Sequence, residues 1–163
     1  MESKAFEKLY ITQLKDVYSA ANQVIDALPK IIKLASNKEL RNFFKDLLEQ
    51  SKIQTSRIEN ILKKLKQTKS VQENCNTVEE FIEEIDDWLE ESDNKTIIDA
   101  GLILIYKKIS HYQIAIYETS LSYARIFNFD KIIEALQSSL SEHYSANDRL
   151  DDIFEESCGI LAK

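Results

Sequence analysis

Two glycines and one proline are all that this chain of 163 residues contains, where a globular chain of that length would carry roughly 20 of the two types together. Sandwiches, barrels and nucleotide-binding α/β folds need such residues at turn after turn, so the deficit excludes them. Of the whole, 44% is hydrophobic and 30% charged, enough to bury a core and too apolar for disorder. A nearly turn-free amphipathic chain is expected to be all-α. At this length it reads as a single domain, residues 1–163.

Apolar residues recur at helical spacing from Phe6 and Leu9 through Leu14, Val17, Ala21, Val24, Leu28 and Ile31 to Ala35, one face of a long first helix. Pro29 lies inside it, and the loss of a backbone donor predicts a kink near residue 26 or a break. Ser36 and Glu39 read as a capping box opening a second helix, with Leu40, Phe43, Phe44, Leu47, Ile58, Ile61, Leu62 and Leu65 inward. Residues 67–76 have no periodicity and form the longest loop. Thr77 and Glu80 make a second capping box before a short helix that turns Val78, Phe81, Ile85, Trp88 and Leu89 inward. Its carboxylate-rich outer face lacks the loop spacing of a calcium site and reads as solvated.

The third long helix starts between Asn94 and Thr96 and continues to Phe127. Asn128 and Asp130 separate it from a fourth that carries Ile133, Leu136, Leu140, Leu150, Ile153, Phe154 and Leu161. Four long helices and one short one, with short links, predict an antiparallel four-helix bundle whose additional short helix lies in the second crossover.

A net charge of −7 repels phosphate backbones and anionic lipid, so nucleic acid and membrane surfaces are poor partners. Cys75 and Cys158 are far apart and make no C-x-x-C, which leaves neither a zinc knuckle nor a redox pair and suggests free thiols in a reducing compartment. No apolar run reaches the length of a membrane span, and the first ten residues are too charged for a signal peptide. The expectation is a cytoplasmic protein.

Bundles place metals and cofactors midway along their core, so the informative positions are those where the inward stripe turns polar. In the second helix Ser51 and Gln54 interrupt it, and in the fourth His143 and Asn147 do so. The first supplies the small Ala21 at the same height, and the third supplies Ser110 and Gln113 beside Tyr112. Burying such groups costs roughly 1–3 kcal/mol each unless they are hydrogen-bonded, so they must satisfy one another or hold something. A di-iron carboxylate site needs Glu-x-x-His pairs. His111 and His143 are preceded at that spacing by Lys108 and Leu140, so no such pair exists. No Ser-His-Asp or Cys-His set can be placed on one layer, and no glycine-rich phosphate loop is present.

Several segments resemble the bacterial ferritin-like stress proteins of the YciE and YciF type. Leu14–Lys30, LKDVYSAANQVIDALPK, is similar to that family's L-x-D-x-Y-x-A-E-x-Q followed by A-L-P-K. Leu47–Ile58 resembles L-E-E-T-x-x-Q/H with R-I after it, and Cys75–Glu84 a cysteine followed by a short acidic helix. Asp99–Tyr117 is similar to D-A-x-L-I then E-H-Y-E-I-A-x-Y, and Leu140–Leu150 to L-x-E-E-K-x-x-D-x-x-L.

The resemblance implies a ferritin-like bundle, a role in bacterial stress physiology and a candidate di-metal centre. Residue by residue, the centre's matching positions here are neutral. Ala21 stands for the Glu of A-E-x-Q, Gln50 and Gln54 for the second Glu of E-E-T and the Gln or His after it. Ser110 and Gln113 stand for the two glutamates of E-H-Y-E, and His143 and Asn147 for the last Glu and Asp.

The reading is a non-enzymatic structural or interaction protein without a cofactor. In it a neutral hydrogen-bonded layer replaces the metals, and His143 is partnered by Gln50, Gln54 and Gln113. The alternative is an iron or manganese protein, an oxidoreductase or iron handler, that uses a shifted set of Glu49, Glu142 and His143. A third reading places a small-molecule pocket with aromatic walls in the space metals would fill. Apolar residues on secondary faces (Ile11, Ile53, Ile103, Ile114) predict a homodimer.

Overall fold

The computed structural model describes residues 2–66 and 76–158. Among these the chain forms five helices and no strand: α1 (Glu2–Leu34), α2 (Lys38–Lys64), α3 (Asn76–Glu91), α4 (Lys95–Ile126) and α5 (Asp130–Cys158). The loop expected over 67–76 and the inward Leu161 fall outside the described residues, except Asn76, which is already helical.

The helix ends show what replaces glycine. Asn37, not Ser36, caps α2: its side-chain oxygen accepts from the backbone N–H of Glu39 at 2.8 Å and of Leu40 at 3.0 Å. Ser36 is engaged elsewhere, its N–H and hydroxyl both donating to the Asp99 carboxylate. Asn94 caps α4 in the same way, accepting from Thr96 and Ile97. The box at Thr77 does not mark a start, because α3 already contains Asn76 and Thr77. After α2 and α4 the left-handed position that glycine usually fills is taken by Lys66 (φ 55°) and Asn128 (φ 54°). Around Asn128 the paired bonds Phe129 N–H to Ala124 and Asn128 N–H to Arg125 complete the turn.

Helix α1 continues through Pro29 without a break, contrary to one of the two outcomes predicted there. Pro29 is exposed, while Leu28 and Ile31 on either side are buried in the core. The packed stripe therefore holds the helical path across the missing hydrogen bond.

Helix α1 packs on α2 and α4, and α5 packs on α4 and α2, with α3 laid across α4 and α1. Ser36 and Asn37 at the α1–α2 turn contact Asp99 near the start of α4, and Asn37 also donates to Ser157 near the end of α5. One end of the bundle thus gathers the ends of α1 and α5 and the starts of α2 and α4. Each packed pair of long helices is antiparallel, which makes an antiparallel four-helix bundle with one additional short helix in the crossover.

The apolar interior is split in two. One cluster joins Leu28, Leu40, Phe44, Ile105 and Leu150, and the other joins Tyr10, Leu14, Ile58, Tyr117 and Leu136. Burying each large side chain in them is worth roughly 1.5–3 kcal/mol. Phe6, Leu9 and Phe154, expected inward, are exposed, and Ile132 rather than Ile133 is buried on α5. Of the residues expected on secondary faces, Ile103 and Ile114 belong to the core, whereas Ile53 is exposed. α4 buries these because it is packed by three other helices. Among the described residues no helix is long and apolar enough to cross a membrane.

Candidate functional site: a polar layer between two apolar cores

The gap between the two clusters is filled by the residues at which the helical stripes turn polar. Ala21 of α1, Ser51, Gln54 and Thr55 of α2, Ser110 and Gln113 of α4, and His143 and Asn147 of α5 are all buried. Heptad-like spacing puts them there: each pair on one helix is three or four residues apart and continues the apolar stripe above and below it. Gln50 is not part of the layer. It is half-buried in a groove beside Phe43, Glu142 and Arg149, because it lies one residue off the stripe that Ser51 and Leu47 follow.

Contacts within the layer differ from a self-satisfied network. Neither imidazole nitrogen of His143 has a hydrogen-bond partner, and the same holds for both polar atoms of the Asn147 amide and for the Ser110 hydroxyl. Of the expected partners of His143, Gln54 donates through Nε2 to Glu142 at 3.0 Å instead. His143 instead lies against the ring of Tyr117, centroids 5.2 Å apart at 43°. The Tyr106 and Tyr117 hydroxyls face Ser110 and Ser139 without the geometry of a hydrogen bond. Burial pushes both tyrosines well above their ordinary range. Burial also lowers His143 to about 4, against the opposing pull of the Glu142 carboxylate, so the imidazole is neutral.

Glu142 borders the layer and is spoken for. Arg57 donates to it at 2.7 Å and Gln54 at 3.0 Å. Burial pushes the Glu142 carboxyl up, but these two bonds and the guanidinium charge together hold it below the usual range. The bond to Glu142 is also the main cause that raises Arg57. Glu49 is exposed and paired with Lys52 at 2.7 Å. Glu142 and His143 are neighbours, but Glu142 is committed to Arg57 and Glu49 to Lys52, so the three do not form one ligand set. Among the described residues no group of three His, Cys, Asp or Glu side chains is arranged to hold a metal ion.

Two divalent cations sharing a bundle core need anionic oxygens to offset their charge. The donors of the layer are hydroxyls, amides and one imidazole, and the bordering Glu142 carboxylate already neutralises an arginine. Among the described residues, the side chains of this layer do not fit a di-metal centre.

Two structural sites escape the sequence reading. The Arg57–Glu142 pair is one, and Arg57 at three residues beyond Gln54 on the same helix face was its available signal. Asp99 is the other. It is buried and accepts from the Ser36 N–H (2.8 Å), the Ser36 hydroxyl (2.5 Å) and the Asn37 N–H (2.9 Å), fastening the α1–α2 turn to α4. Cys75 lies outside the described residues.

With this geometry in place, comparisons with known proteins give a consistent result. Residues 5–160 match the model of the family described as domain of unknown function DUF892. Protein YciF of Escherichia coli K12 is 31% identical over 153 residues, covering 94% of this chain and 92% of that protein. The crystal structure of the E. coli stress protein YciF superposes with a TM-score of 0.83 at 28% identity, over 94% of this chain and 97% of that one. YcfI of Rhodopseudomonas palustris, provisionally described as a structural protein, gives a TM-score of 0.84 at 34% identity over 90% and 92% of the two chains.

Proposed function

This chain belongs to the DUF892 family, that of the YciF-type proteins, and from that premise we propose that it is a stress-response protein with a structural or interaction role and no catalytic metal. The observation that carries the reading is the neutral layer: every buried polar side chain between the two apolar clusters, Ser51, Gln54, Thr55, Ser110, Gln113, His143 and Asn147, is uncharged. Of the positions that match carboxylates of the ferritin-like di-metal pattern, Ala21, Gln50, Ser110, Gln113, His143 and Asn147, none is acidic here. The relatives' descriptions as a stress protein and, provisionally, a structural protein support the same direction. In this reading the exposed apolar side chains Phe6, Leu9, Ile53 and Ile126 supply contacts for a homodimer.

The test is metal retention. Protein incubated with Fe(II) or Mn(II) and passed through a desalting column should keep far less than one ion per chain by elemental analysis. Close to two ions per chain would overturn the reading and restore an iron or manganese centre.

A further inference from the structure

An apolar cleft of about 640 Å³ opens between α3, α4 and α5, toward the bundle end that Asp99 ties together and away from the central layer. Its volume is in the range of roughly 300–1,000 Å³ found for small-molecule sites. Trp88 of α3, Gly101, Ile103 and Leu104 of α4 and Phe154 of α5 are among the residues that line it.

Three observations distinguish it from a chance surface groove. Gly101 stands inside a helix, where glycine is disfavoured. A Cβ at that position would lie 2.3 Å from Cε3 and 2.5 Å from Cζ3 of Trp88, so the missing side chain is what lets the indole rest on the helix backbone. Ile97, Leu104 and Phe154, three of the large apolar residues this chain leaves exposed, all line the same cleft. Its charged lining residues are Glu91, Lys107 and Asp151, and Lys107 is ion-paired with Asp151. The exposed Glu91 then gives the rim a net negative charge.

We propose that this cleft binds an amphipathic organic cation, with an apolar ring or short chain between Trp88, Leu104 and Phe154 and an ammonium at the rim beside Glu91. The indole wall packs against the apolar body, and the carboxylate of Glu91 supplies the attraction for the ammonium. An anionic ligand of the same shape meets two carboxylates against one already paired lysine. The proposal is independent of the reading of the central layer.

Trp88 is the single tryptophan of the chain, so its fluorescence reports on the cleft alone. Phenylbutylamine, phenylbutanol and phenylbutanoate share one apolar body and differ in charge. Titration should give a saturable change with the amine, which binds more tightly than the alcohol and about tenfold more tightly than the carboxylate. Glu91→Gln should bring the amine down to the level of the alcohol and leave the alcohol unchanged. Leu104→Arg should abolish binding with helix content retained, and Ile97→Arg serves the same purpose should the first variant fail to fold. Four outcomes would overturn the proposal: no saturable response to the amine, equal affinity for all three probes, binding that survives the arginine variants, or a ligand-free dimer by light scattering that Leu104→Arg dissociates. The last would assign the cleft to a second copy of this chain.

Discussion

His143 and Asp99 are both buried, and they illustrate opposite solutions to burying a polar group. Asp99 receives three hydrogen bonds and anchors a turn, whereas His143 has no partner on either nitrogen and avoids the cost of charge by staying neutral. Its titration has a signed consequence. The folded-state value, about 4, lies below the ordinary 6.5. Between those two values the unfolded chain binds a proton that the folded chain does not, so stability rises with pH across this window and falls on acidification through it. The groups facing His143 are Glu142, which pulls the other way and is itself paired to Arg57, and the neutral Tyr117 ring. Integrated over the window the loss is about 3 kcal/mol. Urea unfolding at neutral pH and near pH 4 should therefore show a steeper loss for the parent than for His143→Leu, by that amount. The leucine variant should also be the more stable by about 1–2 kcal/mol at neutral pH, since it removes two unsatisfied polar atoms. Equal pH slopes for the two proteins would show that His143 is protonated or partnered in the fold.

At the scale of helices, what could be read from the sequence was whatever the 3.6-residue period records. The five helices and the stripes of α2 and α4 follow from it, and so does the height of Ala21, Gln54, Ser110, Gln113, His143 and Asn147, because all six continue an apolar stripe. What the period does not record are contacts made by residues distant in sequence. Ser36 looks like a cap locally, but its hydroxyl is taken by Asp99, 63 residues on, and capping passes to Asn37. Gln54 looks like a partner for His143, but it donates instead to Glu142, the carboxylate that also pairs with Arg57. Pro29 is the clearest conflict between local and tertiary preference. Its ring removes the hydrogen bond to the Ile25 carbonyl and crowds the preceding turn, yet α1 runs through it because Leu28 and Ile31 are packed on both sides. Since Pro29 is exposed, Pro29→Ala should restore the bond without disturbing the core and stabilise the protein by about 1–3 kcal/mol. A lower denaturation midpoint in the alanine variant would mean that the proline's restriction of the unfolded chain outweighs its strain in the helix.

The whole molecule is two apolar cores joined through one polar layer, and this division makes the origin of the layer testable by rebuilding it. Ala21→Glu, Ser110→Glu, Gln113→Glu and His143→Glu together place four carboxylates at buried positions of one level, contributed by α1, α4 and α5. Gln50 is left unchanged because it faces a solvent groove. Without metal the four groups meet desolvation and mutual repulsion, both of which raise a carboxylate pKa, so folding must protonate them or bear a cost of several kcal/mol. Folded-state values raised above the unfolded ones mean that the folded chain holds more protons, so the variant's stability should recover as pH falls toward 5. The parent, whose layer carries His143 in place of these acids, should lose stability over the same interval. A divalent cation that binds only the folded variant would restore about 2.7 kcal/mol at a hundredfold excess over its Kd. Thermal melts with and without Mn(II) separate the possibilities. Metal rescue of the variant alone is the expected outcome for a layer that once enclosed a di-metal centre. Parent and variant responding equally to Mn(II) would show that these four positions do not surround a former metal site, since four added carboxylates at the right height could not go unnoticed by the ion.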